Sequence, residues 1–340
     1  MRTTPPLRWG LIGASDIAAT RIVPAILRGS DTVEFVYSST LAWAEQYAAI
    51  HGISNATADL ARACEWPGVD AVYISSTNEK HAYQTLGSVA AGKHVLCEKP
   101  LALTVADGQD MLRAAEKQGV VLAVNHHLPG AATHRAIQHL VSSGNLGRPL
   151  AMRIGHAVMI PERLKGWRLT DLAGGGVILD ITVHDISAAQ AILGNTATEA
   201  SAIAVRQGAW SLPDGGPSDA VMATLRFGDA MVQLHDAFTV AHCRSSIEVI
   251  GTEGSVRGVD VMTQDPFGTL WRTVDGRTEQ IAVSNRRDLY DIALDGFRSA
   301  TAGLGQPTVT AAEGLSALAG ALAVARAAST RRNVRIASVS

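Results

Sequence analysis

The fold is indicated first by residues 9–18, which read Trp9-Gly10-Leu11-Ile12-Gly13-Ala14-Ser15-Asp16-Ile17-Ala18. A short apolar run passes through a glycine turn into a segment with helical spacing, as at the start of a nucleotide-binding βαβ unit. Gly13 permits a tight turn, the small Ala14 and Ser15 let the backbone approach an anion, and Ala18 lets helix and strand pack closely. We predict a phosphate-binding turn, although Ser15 stands where a second glycine is usual. The alternative is a glycine-containing βα turn of an unrelated α/β protein.

The first 125 residues alternate short β-branched runs with longer helical segments, each helix being followed by a glycine. This alternation is typical of a doubly wound parallel sheet, a Rossmann fold, covered by crossover helices. The predicted strands are Leu7–Ile12, Val33–Tyr37, Ala71–Ile74, His94–Leu96 and Val121–Val124, and the predicted helices are Ile17–Leu27, Leu41–His51, Glu79–Ala91 and Val105–Lys117.

The second half of the chain has a different rhythm. A helix is predicted at Ala131–Ser143, and period-two alternation at Ala220–Phe227 and Met231–Phe238 predicts an antiparallel hairpin. Two more helical segments, Asp288–Ala300 and Ala311–Ala328, follow. The pattern indicates a mixed, largely antiparallel α+β domain.

The length of 340 residues corresponds to about two domains at roughly 150 residues each. We place a dinucleotide-binding domain over residues 1–125 and an α+β substrate-binding domain over residues 126–340. The sequence does not decide between a monomer and a homo-oligomer formed through the antiparallel sheet, because one face of such a sheet can be either solvated or covered.

The composition excludes several classes of protein. Hydrophobic residues make up 47% and charged residues 18% of the chain, and the formal net charge is −2, with no run of five like charges. Nucleic acid and membrane surfaces are therefore not expected as partners. The three cysteines, Cys64, Cys97 and Cys243, form no CxxC pair, and no apolar run has the length of a signal peptide or a membrane span. A reducing, cytoplasmic location is expected.

The end of the second predicted strand reads Tyr37-Ser38-Ser39-Thr40. An NAD-specific site usually carries Asp or Glu there, to bind the ribose 2′-hydroxyl. Without that carboxylate a 2′-phosphate is not repelled, so NADP(H) is favoured modestly and NAD(H) stays possible. The hydroxyls can also act as caps of the next helix.

Two further segments carry chemistry. Lys99 follows a buried-looking strand within Cys97-Glu98-Lys99-Pro100, which puts it at the carboxyl edge of the sheet, although an isolated loop lysine is ordinarily a solvated surface residue. In residues 174–185, a triple glycine leads into a helix on which Asp180 and His184 share a face. Asp180 could alternatively cap that helix. No metal site is expected, because no third ligand has a recognisable spacing.

Several motifs together resemble the glucose–fructose oxidoreductase/inositol dehydrogenase/rhizopine-catabolism (Gfo/Idh/MocA) family. They are Gly10–Ala18, Ser76–Glu79, Ala91–Val95, Glu98–Pro100 and Gly174–Asp185. The resemblance implies a Rossmann domain, a nicotinamide cofactor and a sugar-like substrate. The cofactor contacts that it implies, with Gly13 of the turn, are Ala14, Ser15, Asp16, Ile17, Ser38, Ser39, Ser76, Thr77, Asn78, Glu79, Lys80, His81, Glu98, Lys99, Asn125, Trp167, Arg168 and Tyr290.

The resemblance also implies catalytic roles for three residues. Hydride transfer to a ketone creates an alkoxide that needs a positive charge and a proton. His184 is expected to donate the proton, and Lys99 to orient and polarise the carbonyl, with the two roles exchangeable. Asp180 is expected to bond an imidazole nitrogen or a sugar hydroxyl. One departure is Trp43, which stands where a relative has an arginine suited to a 2′-phosphate.

The predicted activity is NAD(P)H-dependent reduction of a cyclic keto-sugar. An inositol or pyranose dehydrogenase is the alternative on the same fold, because one site catalyses both directions. A glycosidase with tightly held NAD is another. A sugar-sensing regulatory protein without turnover is the alternative of a different class, and the retained Lys99, Asp180 and His184 count against it.

Overall fold

A computed structural model describes residues 4–210 and 216–339. The chain forms two compact units. The first comprises residues 1–127 and 290–315, and the second comprises residues 128–289 and 316–340. Each unit contains one sheet.

The sheet of the first unit has six strands in the order β3-β2-β1-β4-β5-β6, and every pair is parallel. The order reverses between β1 and β4, and ligands bind at such a switch point in doubly wound folds. The predicted Rossmann class is confirmed, and only the short β3 was not predicted. The strands are β1 (Arg8–Ile12), β2 (Thr32–Tyr37), β3 (Ala56–Thr57), β4 (Ala71–Ile74), β5 (His94–Cys97) and β6 (Leu122–Val124).

The crossover helices of this unit agree with the predicted helices, except for the short helix at Leu60–Cys64, which was not predicted. Glycines end several of them, and Gly52 and Gly119 take the left-handed conformation that a helix C-terminus favours. The first crossover starts as a π-helical turn, Ala18–Ile22. The helices are α1 (Val23–Arg28), α2 (Leu41–His51), α3 (Leu60–Cys64), α4 (His81–Ala90) and α5 (Val105–Gln118).

The first unit also contains most of a late helix. The sequence predicted a helix at Asp288–Ala300, and the structure has α9 at Leu289–Thr301. Its Phe297 ring lies 5.2 Å from the ring of Trp9 in β1, and its Asp291 pairs with Arg28 at 2.7 Å. The observed units therefore differ from the predicted division at residue 125, because periodicity identifies a helix without identifying the sheet against which it packs.

The second unit has a nine-stranded sheet in the order β14-β13-β12-β11-β7-β10-β9-β8-β15. Within this sheet, the β7–β10 pair is the only parallel pair among the described strands, which confirms the prediction of a mixed, largely antiparallel sheet. The strands are β7 (Pro149–Ala157), β8 (Ala197–Val205), β9 (Ala220–Phe227), β10 (Ala230–Ala237), β11 (Ser246–Gly251), β12 (Ser255–Val259), β13 (Thr269–Val274), β14 (Arg277–Ile281) and β15 (Val334–Arg335).

One face of this sheet is buried and the other is exposed. On β9 and β10, buried apolar side chains alternate with exposed ones such as Met222 and Met231. The exposed face is suited to solvent or to a second subunit, so the oligomeric state stays a prediction. The helices are α6 (Ala132–Ser142), α7 (Gly166–Thr170), α8 (Val183–Leu193) and α10 (Ala311–Thr330), of which residues 311–315 cluster with the first unit.

One helix within the described residues, α10, is long and apolar enough to span a membrane. Of its most apolar 18-residue window, 61% is buried inside the protein. Core helices share this composition, and the sequence predicted a packed structural helix at this position.

The start of β1 depends on Asp31, whose side chain is only 1% exposed. Its carboxylate accepts hydrogen bonds from the Leu7 amide and the Trp9 indole, each at 2.9 Å, and lies 3.7 Å from the Arg298 guanidinium. We expect Asp31→Ala to lower the free energy of unfolding by about 3 kcal/mol, because two buried donors lose a charged acceptor. Urea denaturation measures the change.

The matched control is Glu116→Ala on the exposed face of α5. It should change stability by no more than about 0.5 kcal/mol. Equal effects of the two substitutions would show that Asp31 does not anchor β1.

Candidate active site

The turn after β1 has no room for a side chain at Gly13. The residue has φ +121°, and a Cβ there would lie 2.6 Å from the Ser76 amide nitrogen and 2.7 Å from the Ser75 carbonyl carbon. Its N–H donates to the Tyr37 carbonyl at 3.0 Å. Glycine is therefore required for the turn to pass between the ends of β2 and β4.

Ser15 stands where a second glycine is usual, and its hydroxyl has a specific place. It accepts the Ala18 N–H at 3.1 Å and donates to the Ser75 hydroxyl at 2.7 Å. Ser15 thus caps the first helix and ties it to the end of β4. The amides of residues 14–17 lie at the start of this helix, where the helix dipole favours an anion. The turn at Gly13 and the amides of residues 14–17 together fit the pyrophosphate of a dinucleotide.

Two aromatic residues of α2 brace the same turn, and sequence reasoning missed them in this role. The Trp43 indole donates to the Ala14 carbonyl at 3.2 Å, and the Tyr47 hydroxyl donates to the Ser15 carbonyl at 3.2 Å. Burial raises the pKa of Tyr47, which keeps its hydroxyl a donor. Trp43 is 46% exposed, so much of its ring stays accessible beside the turn.

The end of β2 carries hydroxyls at the surface. Ser38 is nearly buried and its amide donates to the Thr57 carbonyl at 3.2 Å, whereas Ser39 is exposed. Thr40 precedes α2 but, within the described residues, its side chain makes no capping hydrogen bond to that helix. The alternative interpretation of these hydroxyls as helix caps is therefore wrong for Thr40.

The segment after β4 is held by buried side chains. Ser76 donates its hydroxyl to the fully buried Gln84, and Thr77 donates to Glu79 at 2.5 Å. Asn78 is 5% exposed. The Lys80 ammonium lies 3.9 Å from the Glu79 carboxylate.

His81 connects two loops at this edge of the sheet. Its ring is 1% exposed, with Nδ1 2.8 Å from the Pro100 carbonyl and Nε2 3.1 Å from the Ser76 carbonyl. Burial lowers the pKa of His81, although both carbonyls favour its protonated form. Both nitrogens are used by the main chain, so His81 fixes the loop that carries Lys99 relative to the segment after β4.

Glu98 is a hydrogen-bonding centre next to Lys99. Its Oε1 accepts from the Tyr73 hydroxyl at 2.5 Å and from Asn125 Nδ2 at 2.6 Å, while its Oε2 accepts from the Lys99 amide at 3.2 Å. Burial, followed by the charge of Glu98, raises the pKa of Tyr73 well above its usual value. The phenol therefore stays protonated and holds the carboxylate in place.

Lys99 itself is half-buried and leaves the sheet after β5. Burial first, and the Lys99 charge second, lower the pKa of the nearby His126 to about 3. His126 is therefore neutral at physiological pH and does not compete with Lys99 as a cation. Tyr290, predicted as a cofactor contact, is 1% exposed and stacks on His127 with ring centroids 5.2 Å apart.

In the second unit, tight backbone contacts shape the approach to α8. A Cβ on Gly175 would lie 2.5 Å from the Asp171 carbonyl oxygen, and the Gly176 amide donates to the Arg168 carbonyl at 2.7 Å. The chain then enters a π-helical turn, Ile178–Thr182, before α8. Such turns are frequent at functional sites.

Asp180 and His184 lie at this junction, and Arg168 is a partner that the sequence did not predict for Asp180. Arg168 Nε donates to Asp180 Oδ2 at 3.0 Å, and its guanidinium carbon lies 4.6 Å from the Trp167 ring centroid. The ion pair orients the Asp180 carboxylate. His184 is 7% exposed. Across residues 4–210 and 216–339, no group of three His, Cys, Asp or Glu side chains is placed to hold a metal ion.

These features define an NAD(P)-dependent oxidoreductase, and two family models support that class. The model of an oxidoreductase family with an NAD-binding Rossmann fold matches residues 7–126, and the GFO/IDH/MocA C-terminal domain matches residues 134–257. The chain belongs to the GFO/IDH/MocA oxidoreductase family.

The chain is also similar to individual proteins of known activity. The chain is 44% identical over 332 residues to a 1,5-anhydro-D-fructose reductase of Ensifer adhaerens, covering 97% of this chain and 98% of the relative. It is 27% identical over 295 residues to a myo-inositol 2-dehydrogenase of Thermotoga maritima, covering 85% and 86%. The crystal structure of an aldose-aldose oxidoreductase from Caulobacter crescentus with glycerol superposes with a TM-score of 0.87 at 26% identity, over 97% and 100% of the two chains.

The lack of space for a side chain at Gly13 gives a test of the pyrophosphate-binding turn. We expect Gly13→Ala to raise the Kd for NADPH at least about tenfold, because the new methyl group meets the Ser76 backbone and the backbone angle is strained. Titration of tryptophan fluorescence measures the Kd.

Gly52→Ala is the matched control, since Gly52 also has a positive φ but no atom lies within 4 Å of its added Cβ. It should leave the Kd unchanged. A Gly13→Ala protein that binds NADPH like the wild type would remove the turn from the cofactor site.

Proposed function

We propose that the protein reduces 1,5-anhydro-D-fructose to 1,5-anhydro-D-mannitol with a reduced nicotinamide dinucleotide. The observation that carries the proposal is the 44% identity to a 1,5-anhydro-D-fructose reductase over 97% of the chain. The similarity includes both units and the loops that carry Lys99, Asp180 and His184.

The residues in the first unit are suited to binding the cofactor and to polarising the substrate carbonyl. Gly13 and the amides of residues 14–17 would hold the pyrophosphate, and Ser38 and Ser39 would lie toward the adenosine ribose. A bound reduced nicotinamide supplies the hydride for the ketone carbon. Lys99 places a positive charge on the carbonyl oxygen, because its backbone is held through Glu98.

The residues in the second unit suit proton donation. His184 gives the proton that the developing alkoxide needs, with Asp180 favouring the charged imidazole or binding a sugar hydroxyl. The ion pair with Arg168 limits the orientations that Asp180 can take. The remaining cofactor contacts named above are proposed on the resemblance alone.

We expect Lys99→Ala and His184→Ala each to lower kcat by at least about 100-fold, because each removes a group that stabilises or protonates the alkoxide. Consumption of NADPH with 1,5-anhydro-D-fructose measures the rate. Lys117→Ala and His139→Ala, at exposed positions, are the matched controls and should retain wild-type turnover.

The same assay with other substrates distinguishes between the candidate functions. Oxidation of myo-inositol with oxidised cofactor, and no reaction of the anhydro-sugar, would replace the reductase by a dehydrogenase. Cofactor that stays bound through gel filtration, without net NADH change on turnover, would indicate a glycosidase. Binding without turnover of any sugar would favour the sensor.

We also propose that both cofactors are accepted, with NADPH preferred modestly. Ser38 and Ser39 carry no negative charge that would repel a 2′-phosphate. Trp43 adds no positive charge either, so the preference is expected to be small. A kcat/KM for NADH above that for NADPH would contradict this proposal.

Trp43→Arg tests how the preference is set. A guanidinium near the 2′-phosphate adds a charge-assisted hydrogen bond worth about 1.5–3 kcal/mol, so the NADPH to NADH ratio of kcat/KM should rise about tenfold or more. Trp43→Phe is the control, since it removes the bond to the Ala14 carbonyl without adding charge and should weaken both cofactors alike. An unchanged ratio in Trp43→Arg would show that position 43 does not face the phosphate.

A further inference from the structure

The buried face of the second unit's sheet contains a carboxyl group where the strand pattern calls for an apolar residue. Asp236 shares the inner face of β10 with Val232 and Leu234, and all three are 0% exposed. On the neighbouring parallel strand β7, His156 is its paired residue. A second carboxyl group, Asp185 of α8, is also 0% exposed.

These side chains form one buried polar network, in which the bond between His156 and Asp185 has hydrogen-bonding geometry. His156 Nδ1 lies 2.8 Å from Asp185 Oδ1. Within the described residues, Asp185 Oδ2 and both carboxyl oxygens of Asp236 are buried and receive no hydrogen bond from a donor. The two carboxyl groups are close enough to interact with each other. The Thr182 hydroxyl lies near Asp236 but makes no hydrogen bond in the part of the chain that the structure describes. The first turn of α8 is thereby hydrogen-bonded to β7 and lies close to β10.

The network must hold a proton between its carboxyl groups. Two buried carboxyl groups in contact cannot both be ionised, and a hydrogen bond between them needs one proton. Burial raises the pKa of both carboxyl groups, and the charge of Asp185 raises that of Asp236 further, so Asp236 is the one that holds the proton. His134 of α6 stands behind His156, and burial lowers its pKa to about 3, so it contributes no charge.

The order of donors follows from these partners. A proton on Asp236 gives Asp185 Oδ2 a donor, and the Nδ1–H tautomer of His156 gives Asp185 Oδ1 a second one. Asp185 thus has a donor on each side, one from β10 and one from β7. Asp185 directly follows His184 in the chain and lies in the same first turn of α8.

We propose that the Asp236–Asp185–His156 network is a positioning device that fixes the first turn of α8 and thereby the imidazole of His184. Asp185, Asp236 and His156 are positioning residues. The inference rests on the proposed role of His184. Apolar side chains of similar volume would hold the helix against the sheet with equal or greater stability. Directional bonds to a carboxyl group instead fix the rotation and height of the turn.

The test compares Asp236→Asn with Asp236→Leu. The amide keeps a donor toward Asp185, whereas leucine fills the same space without one. In Asp236→Leu we expect kcat to fall about tenfold or more, with the KM for NADPH and the thermal midpoint close to wild type. Asp236→Asn should restore most of kcat. Leu234→Met, two residues earlier on the same face, is the control for a small packing change and should leave kcat unchanged.

A second readout does not depend on turnover. In protein labelled with 13C at histidine Cε1, the His184 resonance is assigned by its loss in His184→Gln. It should shift or broaden in Asp236→Leu and keep its wild-type position in Asp236→Asn. An infrared difference between wild type and Asp236→Asn at neutral pH should show the C=O band of a protonated carboxylic acid in the wild type.

The outcomes separate this inference from the proposed function. A wild-type protein that reduces no sugar refutes the proposed function, while the His184 resonance still tests the network. An unchanged His184 resonance in Asp236→Leu, a missing carboxylic acid band, or a parallel loss of kcat, cofactor affinity and thermal stability would overturn the inference. Should Asp236→Leu fail to fold, His156→Phe removes the other donor to Asp185 and is expected to shift the same resonance.

Discussion

The turn after β1 and the end of β4 approach each other closely. The carboxyl edge of the parallel sheet, where a dinucleotide would bind, depends on this constraint. A Cβ at Gly13 would lie 2.6 Å from the Ser76 amide nitrogen, so only glycine lets the two segments pass. Because they are that close, the Ser15 hydroxyl can bond to both the helix start and Ser75. The helix N-terminus and the segment after β4 then face the same switch point of the sheet, which is where a dinucleotide binds in such folds.

The placement of Lys99 follows from the same sheet by a different interaction. Glu98 directly follows β5, which lies between β4 and β6. It accepts a hydrogen bond from Tyr73 of β4 and one from Asn125, which follows β6. Glu98 therefore fixes the main chain before Lys99 while His81 fixes the Pro100 carbonyl after it. The main chain on both sides of Lys99 is thereby held by hydrogen bonds to side chains. Such preorganisation is what electrostatic stabilisation of an alkoxide requires.

The sequence predicted the features that depend on local pattern. Alternating strands and helices, the turn at Gly13 and the shared helical face of Asp180 and His184 are all encoded within a few residues. The missed features join residues distant in the chain. Trp43 bonds to Ala14, and Phe297 packs on Trp9, yet neither contact leaves a mark on the periodicity around it. Element type is local information, whereas the partner of an element is not.

Buried aspartates show the same limit in chemical terms. Asp31 and Asp236 are both buried at positions where an apolar residue is usual. Asp31 receives N–H donors from Leu7 and Trp9 and lies near Arg298, so its negative charge is compensated in place. Asp236 instead faces another carboxyl group and a neutral hydroxyl. A bound proton therefore neutralises Asp236, whereas hydrogen-bond donors compensate the negative charge of Asp31. The sequence around Asp31 and Asp236 does not distinguish their roles. The number of hydrogen-bond donors around each side chain does: Asp31 is a carboxylate that anchors a strand, and Asp236 is a carboxylic acid that donates to its neighbour.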